Sequence, residues 1–217
     1  MLIDLHAHTW PLSDDSFLSP DDLIRGAKRA GLDGICLTEH DFAWDPRKVK
    51  ELCEKHNFLV MAGMEVNTED GHMLVFGLDR YVYGIHRIKE LAQMVDEVGG
   101  AIIASHPYRR QMPFWLRDGS EYREALERAS RNSAYQHVHG LEAVNGRGSQ
   151  RENHFSRELC VMMDLPGVGG TDSHAQHDIG RCATYFEAAI GDVHDLAAAI
   201  RAGHFHPVTL RVHRVTE

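Results

Sequence analysis

A chain of 217 residues is long enough for one domain with a substantial core and short for two, so residues 1–217 are read as a single unit. An apolar share of 43% and a charged share of 25% are those of ordinary globular proteins and exclude fibres and disordered tails. The net charge of -9 disfavours broad attachment to nucleic acid or anionic lipid, which need clustered Lys and Arg. No stable nucleic-acid binding is expected, whereas a small phosphorylated partner stays open because bound cations reverse the field locally.

In chain order, MLIDLHAHT has no basic stretch followed by a long apolar one, and no later run approaches a membrane span. Cys36, Cys53, Cys160 and Cys182 are far apart and form no C-x-x-C, which reads as reduced thiols. A cytoplasmic location with no membrane partner is the expectation.

Leu2 to Leu5 is a short first strand. Ser19-Pro20-Asp21-Asp22 supplies an N-cap, a proline at the first helical position and acidic residues in the first turn, and Gly31 ends that helix. Gly34 to Thr38 is the next strand, Asp45-Pro46 opens another helix, and Phe58 to Val66 is a strand that returns at Met73 to Gly77 through the Asp70-Gly71 turn. Ile85 to Val98 has helical spacing and ends at Gly99-Gly100, before the apolar run Ala101 to Ala104. Gly140 to Val144, Gly167 to Gly169 and Cys182 to Phe186 are further strand candidates, with helices between them and a last helix from Asp192 to Ala202 closed by Gly203. The alternation is that of a parallel α/β protein, and about seven βα steps predict an incomplete or distorted barrel. No Gly-rich dinucleotide or Walker motif supports an open doubly wound sheet instead.

The chemistry lies in where certain side chains fall. His6 and His8 follow the first strand two residues apart, so both point the same way in extended chain. His40 follows the second strand, Glu65 lies near the end of the third, His106 follows Ala101 to Ala104, and Asp172 and His174 repeat the two-residue spacing. In a parallel α/β unit such strand ends share one face, and imidazole with carboxylate suits zinc, manganese or iron. A lone histidine after a strand is more often a hydrogen-bonded boundary residue than a ligand. His137-x-His139 and His204-x-His206 have the same form as the first pair and are set aside. Joint occurrence at five strand ends is what chance explains poorly.

Asp4-Leu5-His6-Ala7-His8-Thr9, Thr38-Glu39-His40-Asp41, Gly63-Met64-Glu65, Ser105-His106-Pro107 and Gly170-Thr171-Asp172-Ser173-His174 resemble, in order, the motifs of the PHP family of polymerases and histidinol phosphatases. The resemblance implies a distorted seven-stranded (β/α) barrel, two or three divalent ions and hydrolysis of phosphate esters, with Asp172, His174 and Glu65 at the chemistry. His6, His8, Asp172 and Glu65 would hold a first ion, and Glu65 would bridge to a second held by His106 and His72. His40, His174 and an early aspartate would hold a third. Asp14 and Asp15 both remain open for that role, with the count back from Leu18-Ser19-Pro20 favouring Asp15.

With such ions a shared water would lose its proton near neutral pH, leaving hydroxide as the nucleophile. The leaving-group proton would come from a metal-bound water or from His174 or His177. Arg109, Arg110, Arg147 and Arg181 follow site motifs and are candidates for substrate phosphate. Glu142, inside a strand, is a candidate partner for a ligand histidine. Trp10, Phe42, Trp44, Phe114 and Trp115 could stack on a base, although core packing is the commoner use of aromatics. Competing readings are an amidohydrolase-type metal enzyme and a non-catalytic, metal-stabilised interaction module.

Overall fold

The computed structural model describes residues 1–109, 111 and 119–210; Arg110, Phe114 and Trp115 lie outside them. The short apolar runs become strands: β1 Leu2–Asp4, β2 Gly34–Leu37, β3 Leu59–Thr68, β4 Gly71–Phe76, β5 Ala101–Ala104, β6 Gly140–Asn145, β7 Gly167–Gly170, β8 Cys182–Phe186 and β9 Phe205–Thr209. The helices are α1 Pro20–Arg29, α2 Pro46–His56, α3 Ile88–Glu97, α4 Gly119–Ser130, α5 Gln150–Met163 and α6 Val193–Ala202. A 3-10 turn covers Ser133–His137.

Local chemistry sets the helix ends. The Ser19 side chain accepts from Asp22 N and the Asp45 side chain from Arg47 N, each just before a proline, so orphan N–H groups of the first turn are satisfied. Ser149 and Glu152 form a reciprocal capping box on α5. α3 begins three residues after Ile85, the expected start: Ile85 is buried in the core ahead of the helix, so its apolar spacing reflects packing.

The sheet order is β7-β6-β5-β4-β3-β2-β1-β8-β9. β1, β2 and β3 are parallel, as are β5, β6 and β7, while β4 runs antiparallel between β3 and β5. Beyond β7, Ser173 bridges Ala7 in parallel, and Asp172 N donates to His6 O at 2.7 Å, so the chain after β7 meets the chain after β1. The ring of β1 to β7 thereby nearly closes at its upper end. At the lower end β8 pairs antiparallel with β1, and Gly169 N donates to Thr184 Oγ1 at 2.9 Å, filling the gap between β1 and β7. The expected seven strands are thus accompanied by two more, nine among the described residues. The steps from β3 to β4 and from β7 to β8 have no crossover helix, which is why a uniform βα count falls short.

Along β4, Met73 and Val75 face one apolar cluster and Leu74 and Phe76 another, the two-residue alternation of a strand buried on both faces. Each such side chain contributes about 1.5–3 kcal/mol when fully buried. No helix among the described residues is long and apolar enough to cross a membrane.

Candidate metal centre

Parallel strands put their C-terminal ends at one mouth. His6 and His8 emerge after β1, His40 after β2, Glu65 from β3, His106 after β5, and Asp172 and His174 after β7. β4 runs the other way, so it is the start of that strand, at His72, that reaches the same mouth. Gly170 allows the close approach at the base: a Cβ there would lie 2.5 Å from His6 Cβ and 2.7 Å from Glu142 Oε1. His106 and Asp172 adopt left-handed backbone conformations, with φ of 28° and 55°, the strain that site residues carry when their surroundings hold them in place.

Glu65 is the hub, buried at the centre of the cluster. Its Oε1 lies 2.9 Å from His106 Nε2 and 3.0 Å from His72 Nδ1, and accepts from Ser105 Oγ at 2.9 Å. Its Oε2 lies 3.1 Å from His40 Nδ1, 3.3 Å from His8 Nε2 and 3.4 Å from His6 Nε2. Asp172 Oδ1 is 3.6 Å from Nε2 of both His6 and His8. Asp15 Oδ2 is 3.1 Å from His174 Nε2 and 3.4 Å from His40 Nε2. Of the two early aspartates it is thus Asp15 that reaches the cluster, from a half-exposed position.

The nine candidate ligands therefore converge. Among the described residues, four sets have their ligand atoms within 4.8 Å of one another: His6, His8 and Asp172; His6, Glu65 and His106; His40, Glu65 and His72; His8, His40 and His174. His72 and His106 meet on Glu65 Oε1, as in the expected grouping, while the same geometry also sets His72 with His40 and His106 with His6.

Two observations test whether a cation fits. Glu65 Oε2 and His40 Nδ1 are buried without a hydrogen bond, although nearly all buried polar atoms have one. Further, the Nδ1 atoms of His6 and His8 are claimed from behind. Glu142 Oε1 takes that of His6 at 2.9 Å, and Ser13 Oγ meets that of His8 at 3.2 Å. Glu39 accepts from Thr9 N at 2.8 Å, Ser13 Oγ at 2.5 Å, Trp44 Nε1 at 2.9 Å and Thr9 Oγ1. The Ser13 hydrogen is directed to that carboxylate, so Ser13 Oγ accepts the Nδ1–H of His8. Both Nε2 atoms then face the cluster, 3.0 Å apart, and two facing lone pairs require a positive charge between them. The donor set fits a divalent cation of the zinc, manganese or iron type.

Electrostatics agree. Burial would lower the His6 pKa, but Glu142, Glu65 and Asp172 hold it well above the usual value. Burial pushes His8 down to about 4. Burial would raise Asp172, yet His6 and Arg109 bring it down to about 2. Glu65, against its own burial, is held well below the carboxylate range by His6 and His106.

Arg109 pairs with Asp172 Oδ2 and lies 2.9 Å from His106 Nε2, and Arg147 NH1 lies 3.0 Å from His174 Nδ1. Arg181 donates instead to the His177 and Gly146 carbonyls at 3.1 and 3.0 Å. Glu142 holds His6 and also accepts from His106 N at 2.7 Å. Ser13 and Glu39 were not foreseen: Glu39 stands in the motif beside His40, yet nothing in the spacing shows that it serves His8. Trp44 is held by Glu39, while Trp10 and Phe42 are exposed. The histidine pairs set aside have other uses, His139 Nδ1 accepting from Ile102 N at 3.1 Å and His206 lying 5.1 Å from the Tyr185 ring.

Residues 150–205, from α5 into β9, match the family model described as PHP-associated. Over 117 residues, 50% of this chain and 68% of the other, the sequence is 28% identical to an uncharacterized protein of Methanocaldococcus jannaschii. A two-domain protein of Bacteroides vulgatus containing a predicted PHP-like metal-dependent phosphoesterase is similar in structure, with a TM-score of 0.65, 20% identity, and coverage of 97% of this chain and 65% of that one. An amidohydrolase from Chromobacterium violaceum, with bound sulfate and no metal, gives 0.59 at 17% identity over 82% and 89%. Histidinol phosphate phosphatase from Lactococcus lactis subsp. lactis, complexed with zinc, L-histidinol and phosphate, gives 0.52 at 18% identity over 94% of each chain. The chain is PHP-like in fold, with a PHP-associated segment at its C-terminal side.

Proposed function

We propose that the protein is a metal-dependent hydrolase of phosphate esters, one catalytic unit acting on the phosphomonoester or phosphodiester of a small metabolite or nucleotide. The observation that carries this reading is the Glu65 hub, a buried carboxylate with imidazoles on both oxygens and one oxygen without a hydrogen bond, beside two arginines.

His6, His8, Asp172 and Glu65 would hold one ion, Glu65, His106 and His72 a second, and His40, His174 and Asp15 a third. Bound divalent ions supply Lewis acidity toward phosphoryl oxygens and make water acidic enough to serve as a nucleophile near neutral pH. The chain's own part is preorganisation. Glu142 keeps a proton on His6 Nδ1, and Ser13, itself held by Glu39, keeps one on His8 Nδ1, so both rings present Nε2 forward. Arg109 and Arg147 add guanidinium donors at the rim, suited to phosphoryl oxygens. Zinc, manganese or iron suits the ligands, and four free cysteines suit a reducing, cytoplasmic setting.

A second reading, hydrolysis of a cyclic amide, draws support from the likeness to the amidohydrolase. Elemental analysis of the purified protein, joined to release assays on a phosphomonoester, a phosphodiester and a cyclic amide, separates the two. Phosphate release that is lost in His8→Ala and Asp172→Ala is the expected result. Turnover of the amide alone would replace the phosphoesterase reading, and bound metal without any turnover would leave a non-catalytic module.

A further inference from the structure

We infer that the substrate carries a second acidic group, bound by Arg128 and Arg131 in a cleft that opens from the metal centre; this rests on the phosphate-ester reading above. The cleft has a volume of about 590 Å³, within the range of small-molecule sites. Its lining includes His72, His106 and Arg109, which belong to the metal centre, and Arg128, Arg131 and Asn132 from the end of α4 and the turn after it, which make no hydrogen bond or ion pair to a candidate ligand among the described residues. His72 and His106 reach Glu65 Oε1, so the cleft is continuous with the site where a phosphoryl group would react.

Asn132 Nδ2 donates to Asp70 O at 2.9 Å, fastening the end of α4 to the β3–β4 turn and fixing the width of the cleft. Arg128 is held in place by Gln111, its NH2 donating to the carbonyl at 3.2 Å and its Nε to Oε1 at 3.3 Å. Both acceptors are uncharged, so the guanidinium keeps its full charge. Arg131 has no acidic partner among the described residues. The acids along the cleft are Glu69 and Asp70, and Glu69 lies 3.7 Å from His86. Arg109 is already matched by Asp172. Two guanidinium groups with no acid in salt-bridge reach among the described residues therefore line the cleft, together with Glu69 and Asp70, in a protein whose net charge is -9. A phosphoryl group at the metal centre would be met by the ions and by Arg109, which leaves Arg128 and Arg131 for a different anion on the same molecule. The planar forks of arginine match phosphate and carboxylate alike. The chemical class is a phosphate ester whose alcohol portion bears a phosphate or a carboxylate.

The test compares metal-loaded wild type with the Arg128→Ala, Arg131→Ala double variant on three series of equal chain length: alkyl phosphates, alkanediol bisphosphates and carboxyalkyl phosphates. The expected result is a KM roughly tenfold lower for the esters with an acidic tail, the size of one charge-assisted hydrogen bond, with kcat little changed. The double variant should erase that preference, and Arg131→Lys should restore part of it. A stronger preference for the bisphosphates assigns the second group as phosphate, and one for the carboxyalkyl series assigns it as carboxylate. Equal kcat/KM for tailed and untailed esters in wild type, or an equal loss on both in the double variant, would overturn the inference while leaving the phosphoesterase intact. Failure to release phosphate from any series would overturn both.

Discussion

Ser13 holds no candidate ligand position, yet it touches the back of His8, the carboxylate of Glu39 and the backbone of His40. Truncation in Ser13→Ala frees the His8 ring to rotate or change tautomer, so Nε2 is no longer held forward. Loss of such an outer partner typically costs 10–100-fold in metal affinity, and isothermal titration of the metal-free protein should show a loss on that order. An unaltered affinity, in a variant that unfolds at the wild-type temperature, would remove Ser13 from the assembly of the site. His6, His8, Glu65 and Asp172 were legible as residue types at strand ends. The support behind them was not, because a hydrogen bond such as that from Ser13 to Glu39 joins atoms 26 residues apart and leaves no periodic trace.

The helix starts were legible for the opposite reason. Their hydrogen bonds join neighbours, as when Asp192 accepts from His194 N and Asp195 N at the head of α6. Those bonds, the one from Asp195 first, hold the Asp192 carboxyl below its ordinary value. The unfolded chain then binds the proton more readily, so the cap's contribution is present above the ordinary carboxylate pKa and fades as pH falls through the lower folded value. Asp192→Ala should cost about 1 kcal/mol near neutral pH. In urea unfolding, the gap between variant and wild type should narrow as pH falls below the ordinary carboxylate value of about 3.9; a gap that stays constant or widens in acid would contradict this account of the cap. Less legible was the direction of β4: a return strand was expected after the Asp70-Gly71 turn, but placing His72 at the mouth needed its antiparallel seat between β3 and β5.

For the whole molecule, metal binding should be a stability event, since the candidate ligands come from six of the strands or the turns after them and from the loop before α1. A ligand at a hundred times its dissociation constant adds about 2.7 kcal/mol, so scanning calorimetry should show a rise in Tm with zinc, manganese or iron that a chelator reverses and that Asp172→Ala lacks. No rise with any of the three would argue against a metal centre. By itself the sequence determined the strand and helix alternation, the caps and the candidate ligands, because side-chain periodicity and first-turn hydrogen bonds are properties of adjacent residues. Only the tertiary structure decided how the ring closes, with β8 beside β1 and Ser173 bridging Ala7. It also placed Glu65 between two groups of imidazoles, turned Arg181 toward backbone carbonyls and opened the cleft toward Arg131. The physical reason is that these features depend on strand order and packing between distant segments, and the pattern within any one segment is compatible with more than one such arrangement.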